Sequence, residues 1–166
     1  MLRFTVAATP LGELTVAWTP SGVVATAFEG DDGEGFVRGL EQRLGTSAER
    51  NDRAGAALGR EVSAYFAGRP RALRSPVDLA LATTPFTRAV LEAAMHVPAG
   101  ELRTYGDVAA EAGRPRAWRA AGTALRHCPI ELWVPCHRIV PSGPGYGTYG
   151  GHPERREFLL RLEGAI

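Results

Sequence analysis

The sequence has no lysine, few cysteines and no long apolar run. Each of these features bears on which classes of protein the sequence can belong to. All 19 residues counted as Lys or Arg are arginine, and 18 acidic residues leave a net charge of +1, so composition alone does not indicate a nucleic-acid partner. Two cysteines are too few for a disulfide framework. No run approaches the roughly 18 apolar residues of a membrane span, so no membrane partner is expected. The N-terminal residues alternate like a strand rather than a signal peptide, and we expect a cytoplasmic protein.

Arginines are nonetheless concentrated in one stretch of the chain. Residues 114–138 hold five arginines and a single glutamate, which gives a local charge of +4. This stretch is either a surface that meets an anion or the solvated face of an ordinary arginine-rich helix. Charge alone does not decide between the two.

The first half of the chain predicts a small sheet with helices. Short alternating apolar segments between Pro- and Gly-containing turns predict strands at residues 3–8, 13–18 and 22–28, and a further strand at residues 72–80. Helical spacing of apolar residues predicts helices at residues 35–45 and 54–68, with a loop at residues 31–34.

The second half of the chain predicts helices. Thr84 before Pro85 is a typical helix start, and Thr104 is placed to cap a short helix that ends at Gly113. A second helix follows at residues 116–126, so this segment is either a helix-turn-helix or an ordinary helical hairpin. We therefore expect an α+β protein with two domains, residues 1–80 and 81–166.

One of the two cysteines lies in the apolar segment VPCHRIV, residues 134–140. A thiol reacts as thiolate, and its reference pKa of about 8.5 requires a nearby base or positive charge for reaction at neutral pH. His137 and Arg138 follow Cys136 directly, but consecutive residues of a strand point to opposite faces. A turn or a bridging water is then needed to connect thiol and imidazole. The alternative is a buried cysteine that acts as a small hydrophobic residue.

Two other uses of the cysteines are less favourable. His127-Cys128 and Cys136-His137 are adjacent pairs, whereas paired zinc ligands are usually separated by two to four residues, so no metal is expected. A disulfide between Cys128 and Cys136 is disfavoured in a reducing compartment.

The second half of the sequence resembles the O6-alkylguanine-DNA alkyltransferases, the methylated-DNA–protein-cysteine methyltransferases. The resemblance is dense over residues 83–164 and weaker before them. The segments that carry it are Phe86-Thr87-Arg88-x-Val90, Pro98-x-Gly100-Glu101, Thr104-Tyr105-Gly106, Gly113-x-Pro115-x-Ala117-x-Arg119-Ala120-x-Gly122-x-Ala124, VPCHRIV with Ser142, Gly147-x-Tyr149-Gly150-Gly151, and Arg155-Arg156-x-Phe158-Leu159-Leu160-x-x-Glu163.

The resemblance implies a fold and an activity. The fold is a ribonuclease H-like N-terminal domain followed by a helical C-terminal domain with a helix-turn-helix. The activity is DNA repair by direct reversal of damage. The protein flips the damaged nucleotide out of double-stranded DNA and transfers the alkyl group irreversibly, once per molecule, from O6-alkylguanine to its own cysteine. O4-alkylthymine is a second candidate substrate. The resemblance implies a monomer that needs no cofactor.

The resemblance also assigns catalytic roles. Cys136 is the nucleophile and alkyl acceptor, His137 takes the thiol proton through a water, and Glu163 holds and charges the imidazole. Tyr105 hydrogen-bonds the guanine ring and helps the leaving base accept a proton.

Further residues are assigned to the pocket and to DNA. Val134 holds the base through its backbone and Ser142 contacts the lesion oxygen, with Pro135, Tyr149 and Gly150 in the same pocket. Arg119 fills the gap that the flipped nucleotide leaves. The remaining DNA contacts are phosphate-binding Arg88 and Arg126, and the small residues Ala117, Ala120 and Gly122, which allow close approach in the minor groove.

Four positions depart from the family pattern. Cys128 replaces an asparagine, Trp118 replaces a small residue beside Arg119, Glu131 replaces a small or apolar residue of the alkyl pocket, and His152 replaces a glycine. These departures sustain one alternative, a non-catalytic protein that recognises alkylated DNA. A second alternative is a cysteine hydrolase, but no motif for an oxyanion hole supports it.

Overall fold

A computed structural model describes residues 1–28, 30 and 35–166 of the chain. The chain divides into two structural units, Met1–Leu81 and Ala82–Ile166. The loop predicted at residues 31–34 lies outside the described residues. No helix in the described part of the chain is long and apolar enough to cross a membrane.

The first unit is a four-stranded sheet with two helices. Its elements are β1 (Leu2–Thr9), β2 (Gly12–Thr19), β3 (Gly22–Phe28), α1 (Gly35–Leu44), β4 (Ala48–Arg50), α2 (Ala56–Phe66) and a 3₁₀ turn at Pro70–Ala72. The strand order is β3-β2-β1-β4, with antiparallel pairing except between β1 and β4. The first three strands and both helices match the sequence prediction, because alternation and helical spacing were both clear there.

The predicted strand at residues 72–80 is wrong. Only Val77 pairs with β3, through Val23, while Ala72 ends the 3₁₀ turn and the other residues of the segment are irregular. Pro76 offers no N–H to a ladder, and its carbonyl accepts a hydrogen bond from Val23 N at 2.8 Å. Gly22, with φ of 144°, is required beside it because any side chain there would collide with the Pro76 carbonyl.

The second unit is mainly helical. Its elements are α3 (Pro85–Met95), β5 (Arg103–Thr104), α4 (Tyr105–Glu111), α5 (Trp118–Arg126), a 3₁₀ turn at Cys136–Arg138, β6 (Ile139–Val140), a 3₁₀ turn at Tyr149–Gly151 and α6 (Pro153–Leu162). β5 and β6 pair in parallel, which places the segment after the Cys136 turn beside the start of α4. The expected α+β class is confirmed.

Side-chain caps set the starts of α3 and α4. Thr84 Oγ1 accepts a hydrogen bond from Thr87 N at 3.1 Å, with Pro85 at the first helical position. Thr104 and Asp107 form a reciprocal capping box, with hydrogen bonds of 3.1 and 2.8 Å. The cap at Thr104 fixes the backbone of the next residue, Tyr105, to which the family resemblance gives a catalytic role.

The helix-turn-helix is formed by α4 and α5. A turn through Gly113, with φ of 88°, separates the two helices. Each buries small or aliphatic residues, Val108 and Ala109 from α4 and Ala121 and Leu125 from α5. Gly122 faces the ring of Tyr105, and a Cβ added to it would lie 3.4 Å from that ring, which is close to an ordinary van der Waals contact. The DNA contact predicted for Gly122 stays a prediction.

Candidate active site

Cys136 lies in a tight turn rather than in a strand. Cys136–Arg138 form a single 3₁₀ turn that begins after Pro135, and only Ile139–Val140 continue as a strand. Cys136 N donates to the Val134 carbonyl at 2.7 Å, and Arg138 N donates to the Pro135 carbonyl at 2.9 Å. The turn that the sequence analysis named as one way to connect thiol and imidazole is therefore present, and it removes the opposite-face geometry of a strand. The Cys136 side chain is well enclosed, with 2% of the residue exposed.

His137 is held by a carboxylate far away in the sequence. Its Nε2 lies 2.9 Å from Glu163 Oε2, and neither side chain has any exposed surface. With Nε2–H donated to the carboxylate, Nδ1 is the unprotonated nitrogen of the ring. Nδ1 is buried and has no hydrogen-bond partner within the described part of the chain. The imidazole is thus oriented as a base by one nitrogen and available at the other.

Glu163 is fixed in turn by Arg138. Arg138 Nε donates to Oε1 and Nη2 donates to Oε2, both at 2.8 Å, which is a bidentate pair. The remaining nitrogen, Nη1, donates to the Val97 carbonyl at 2.7 Å. The sequence placed Arg138 in a basic surface stretch, and this is wrong: the residue is buried against Glu163. Four arginines of that stretch are exposed, namely Arg114, Arg116, Arg119 and Arg126.

These contacts set the charges of the buried groups. Burial opposes ionisation of Glu163, but hydrogen bonds from Arg138 and His137 outweigh it and hold the pKa of Glu163 well below its usual range. Burial lowers the pKa of His137 below its ordinary value of 6.5, with the Glu163 hydrogen bond opposing the shift. At neutral pH the site therefore contains an ionised carboxylate and a neutral imidazole, which is the state of a general base.

Acid destabilises the second unit in two steps. An unfolded His137 binds its proton near pH 6.5 and the folded one only at lower pH, so stability falls as pH drops below 6.5. Glu163 adds a second loss below pH 4.5, where the unfolded carboxyl protonates and the folded one does not. Urea unfolding between pH 2 and pH 8 measures both steps. A histidine NMR titration that gave His137 a pKa above 6.5 would contradict the first.

Tyr149 lies against the nucleophile. Its hydroxyl is 3.8 Å from Cys136 Sγ, and its ring lies under the Arg156 guanidinium at 4.8 Å. Burial and, next, the charge of Cys136 raise the pKa of Tyr149 well above its ordinary value, so the phenol keeps its proton and can donate to the sulfur. The Tyr149 backbone is left-handed, with φ of 44°, and the following Gly150 has φ of 64°.

The second cysteine belongs to the same site. The thiols of Cys128 and Cys136 lie close enough to interact, and this interaction followed by burial raises the pKa of Cys128 well above its ordinary value. Cys128 Sγ also lies 3.3 Å from the Ile130 carbonyl. Both cysteines are free thiols. Among the described residues no group of three His, Cys, Asp or Glu side chains could hold a metal ion.

Comparison with known proteins identifies the family. The model of the 6-O-methylguanine DNA methyltransferase ribonuclease-like domain matches residues 2–79, and that of the DNA binding domain matches residues 85–165. The constitutive methylated-DNA–protein-cysteine methyltransferase of Bacillus subtilis is 32% identical over 98% of this chain and 96% of its own length. That of Mycolicibacterium paratuberculosis is 39% identical over 71% of this chain and 70% of its own length. The chain belongs to the methylated-DNA–protein-cysteine methyltransferases.

Solved structures agree with this assignment. The Mycobacterium tuberculosis O6-methylguanine methyltransferase has a TM-score of 0.79 at 32% identity, with 99% of this chain and 94% of that chain covered. The M. tuberculosis protein in complex with DNA has a TM-score of 0.74 at 28% identity, with 98% and 93% covered. The family and fold class expected from the sequence are confirmed, and this methyltransferase is an enzyme of DNA repair by alkyl transfer.

The other predicted pocket residues of this methyltransferase differ in their exposure to solvent. Val134 and Pro135 are buried directly before Cys136, whereas Ser142 and Gly150 are exposed. Tyr105 is half-buried at the first position of α4. The roles assigned to these residues stay predictions.

The predicted DNA-contacting side chains of this methyltransferase lie on α3, on α5 and just before α5. Arg88, Arg119, Arg126 and Ala120 are exposed and Ala117 is half-buried. The guanidinium of Arg119 lies over the ring of Trp118, 5.0 Å from its centroid. These positions are compatible with contact to a DNA backbone.

Two of the departures from the family pattern have local partners. Glu131 is half-buried and pairs with Arg155 at 3.8 Å, so its charge is not presented alone to the pocket. His152 precedes α6, and its Nδ1 lies 3.2 Å from Glu154 Oε1. Sequence reasoning did not find the roles of Arg138 and Arg156, because the burial of an arginine against one particular partner leaves no local pattern.

Proposed function

We propose that this protein repairs O6-alkylguanine in double-stranded DNA by moving the alkyl group to Sγ of Cys136, once per molecule. One observation carries the proposal: Cys136 shares a buried turn with a neutral, Glu163-bound imidazole whose Nδ1 is unoccupied by any described protein group. O4-alkylthymine is a second candidate substrate, and the protein acts as a monomer.

The proposed transfer begins with proton removal. The Cys136 thiol gives its proton through a water to His137 Nδ1, and Glu163 stabilises the imidazolium that forms. Burial of the three side chains strengthens each of these interactions, since little solvent screens them. Tyr149 donates its hydroxyl hydrogen to the sulfur and holds it in line with the alkyl carbon.

In the second step the sulfur attacks the alkyl carbon. The carbon–oxygen bond to O6 breaks as the carbon–sulfur bond forms, and the guanine leaves with a proton received through Tyr105. The product on Cys136 is a thioether, which has no route back to thiolate, so each molecule reacts once. Every atom of the transfer comes from DNA or protein, and the proposal needs no cofactor.

The proposed reaction requires the damaged nucleotide to leave the duplex. O6 of a stacked guanine is not open to in-line attack, so the base is flipped into a pocket formed by Val134, Pro135, Ser142, Tyr149 and Gly150. The Val134 carbonyl uses one lone pair for Cys136 N and has a second for the base. Arg119 fills the gap, while Arg88 and Arg126 contact phosphates.

Mass spectrometry of the intact protein after incubation with a duplex carrying one O6-methylguanine tests the proposal. We expect the mass of one methyl group to be added, and peptide mapping to place it on Cys136 rather than on Cys128. A duplex with unmodified guanine is the control and should leave the mass unchanged. Binding without a mass change would favour the lesion-recognising alternative. Repeated turnover of an ester or peptide would favour a cysteine hydrolase.

A further inference from the structure

Trp118 is an unusually exposed aromatic residue. It is 49% exposed, whereas Trp133 is 6% exposed and Trp18 is half-buried. It begins α5, the second helix of the helix-turn-helix, and it directly precedes Arg119. Single exposed apolar residues are common on protein surfaces, so exposure alone indicates nothing about function.

The contact between Trp118 and Arg119 adds a second observation. Consecutive residues of a helix do not ordinarily face one another. Here the Arg119 guanidinium lies 5.0 Å from the indole centroid, so the arginine side chain folds back over the ring. The two planar groups form one stacked unit at the start of the helix.

The surroundings of this stacked unit carry one sign of charge. Residues 112–130 contain Arg114, Arg116, Arg119 and Arg126 and no acidic residue. All four arginines are exposed. A polyanion is therefore the partner that charge favours at this surface, and the family's DNA-binding domain spans these residues.

DNA with a flipped nucleotide exposes flat base surfaces on which an indole ring can stack. Extrusion of one base uncovers the faces of the bases that border the gap. Aromatic side chains stack on such faces in a sequence-tolerant way, and apolar side chains inserted from the minor groove separate base steps. A protein that must find lesions in any sequence benefits from a contact of this kind.

We propose that Trp118 stacks on a base that borders the gap filled by Arg119, so that the two side chains together hold the duplex open. The inference rests on the proposed function, because it requires a flipped nucleotide and Arg119 in its place. It gives the departure at Trp118 a positive role in DNA binding.

Binding measurements in a Cys136→Ala background, which prevents reaction, test this inference. The dissociation constant for an O6-methylguanine duplex is measured by fluorescence anisotropy. We expect Trp118→Ala to weaken binding by about 5- to 100-fold, the range of one base–aromatic stack, and Trp118→Phe to retain most of the affinity. Met95→Ala, which truncates another exposed apolar side chain, is the matched control and should change affinity less than about twofold.

A double-mutant comparison separates base stacking from mere support of Arg119. If the indole contacts DNA, Trp118→Ala weakens binding in an Arg119→Ala background as well. A 2-aminopurine placed beside the lesion adds a direct readout, with emission quenched by the indole and restored in Trp118→Ala. The inference is overturned if Trp118→Ala binds like its parent, if the loss vanishes in the Arg119→Ala background, or if the emission does not change.

Failure of this inference is distinguishable from failure of the proposed function. Methyl transfer is followed separately by mass in protein that retains Cys136. Normal transfer with no effect of Trp118 on binding overturns only the inference. A Trp118-dependent affinity without transfer to Cys136 overturns only the proposed chemistry.

Discussion

Replacing Glu163 with glutamine lowers the first-order rate constant of methyl transfer by about 10²- to 10⁴-fold, the range of a general acid–base contribution. The carboxylate accepts Nε2–H of His137 at 2.9 Å and leaves Nδ1 as the base. A glutamine amide can donate to Nε2 instead, which moves the ring proton to Nδ1 and removes the acceptor. It also withdraws the negative charge that stabilises the imidazolium. Single-turnover kinetics with protein in excess over duplex measures the rate constant.

Two further variants show whether this loss comes from the chemistry. Glu154→Gln changes an exposed carboxylate at the start of α6, the helix that ends directly before Glu163, and should alter the rate less than about twofold. Glu163→Gln combined with Arg138→Met removes the buried cation that the first substitution leaves unpaired, so it should recover stability without recovering the rate. A double variant with a normal rate would show that Glu163 acts on stability alone.

Replacing Arg138 with methionine lowers the free energy of unfolding of the second unit by about 3–5 kcal/mol, the cost of breaking a buried ion pair by removal of one partner. The substitution deprives Glu163 of two hydrogen bonds of 2.8 Å and leaves the Val97 carbonyl without its donor. Native-state hydrogen exchange at the amides of α6 measures the effect locally, which is appropriate for a chain of two units.

A matched arginine outside the site provides the comparison for Arg138. Arg116→Met removes the same charge from an exposed position and should change the free energy within about 0.5 kcal/mol. Equal losses in the two variants would mean that loss of net positive charge, rather than the pair with Glu163, accounts for the result. A loss under about 1 kcal/mol in Arg138→Met would also contradict the prediction.

The sequence predicted the elements whose signals are local. Thr84 and Thr104 are helix caps that two or three residues of sequence are enough to predict. The alternation of apolar residues in β1 to β3 is an equally local signal. β4 was missed because Ala48–Arg50 is short and polar, and its pairing with β1 depends on contacts distant in sequence. The strand at residues 72–80 was overpredicted because apolar content is not enough where Pro76 interrupts the ladder.

The sequence predicted only those residues of the site that belong to a recognisable family motif. The family resemblance assigned Cys136, His137 and Glu163 to one catalytic site. The structure supplies the distance and orientation that link His137 to Glu163. The burial of Arg138 could not be predicted from the sequence. An arginine in an apolar segment gives the same sequence pattern whether its side chain points to solvent or to a carboxylate 25 residues away. The contact between Cys128 and Cys136 was likewise invisible, because it depends on how the intervening segment turns.

The position of both thiols at one site has a practical consequence for handling the protein. The chain has two cysteines, and their thiols lie close enough to interact. A thiol-specific dye therefore labels this site and no other part of the molecule. Alkylation of Cys136 removes one reactive thiol per molecule. The number of thiols that react with the dye under denaturing conditions, compared before and after exposure to substrate, therefore gives the fraction of molecules that are active. For the same reason, any thiol oxidation in this protein occurs at the reactive centre, and a preparation can lose its activity while its fold stays intact.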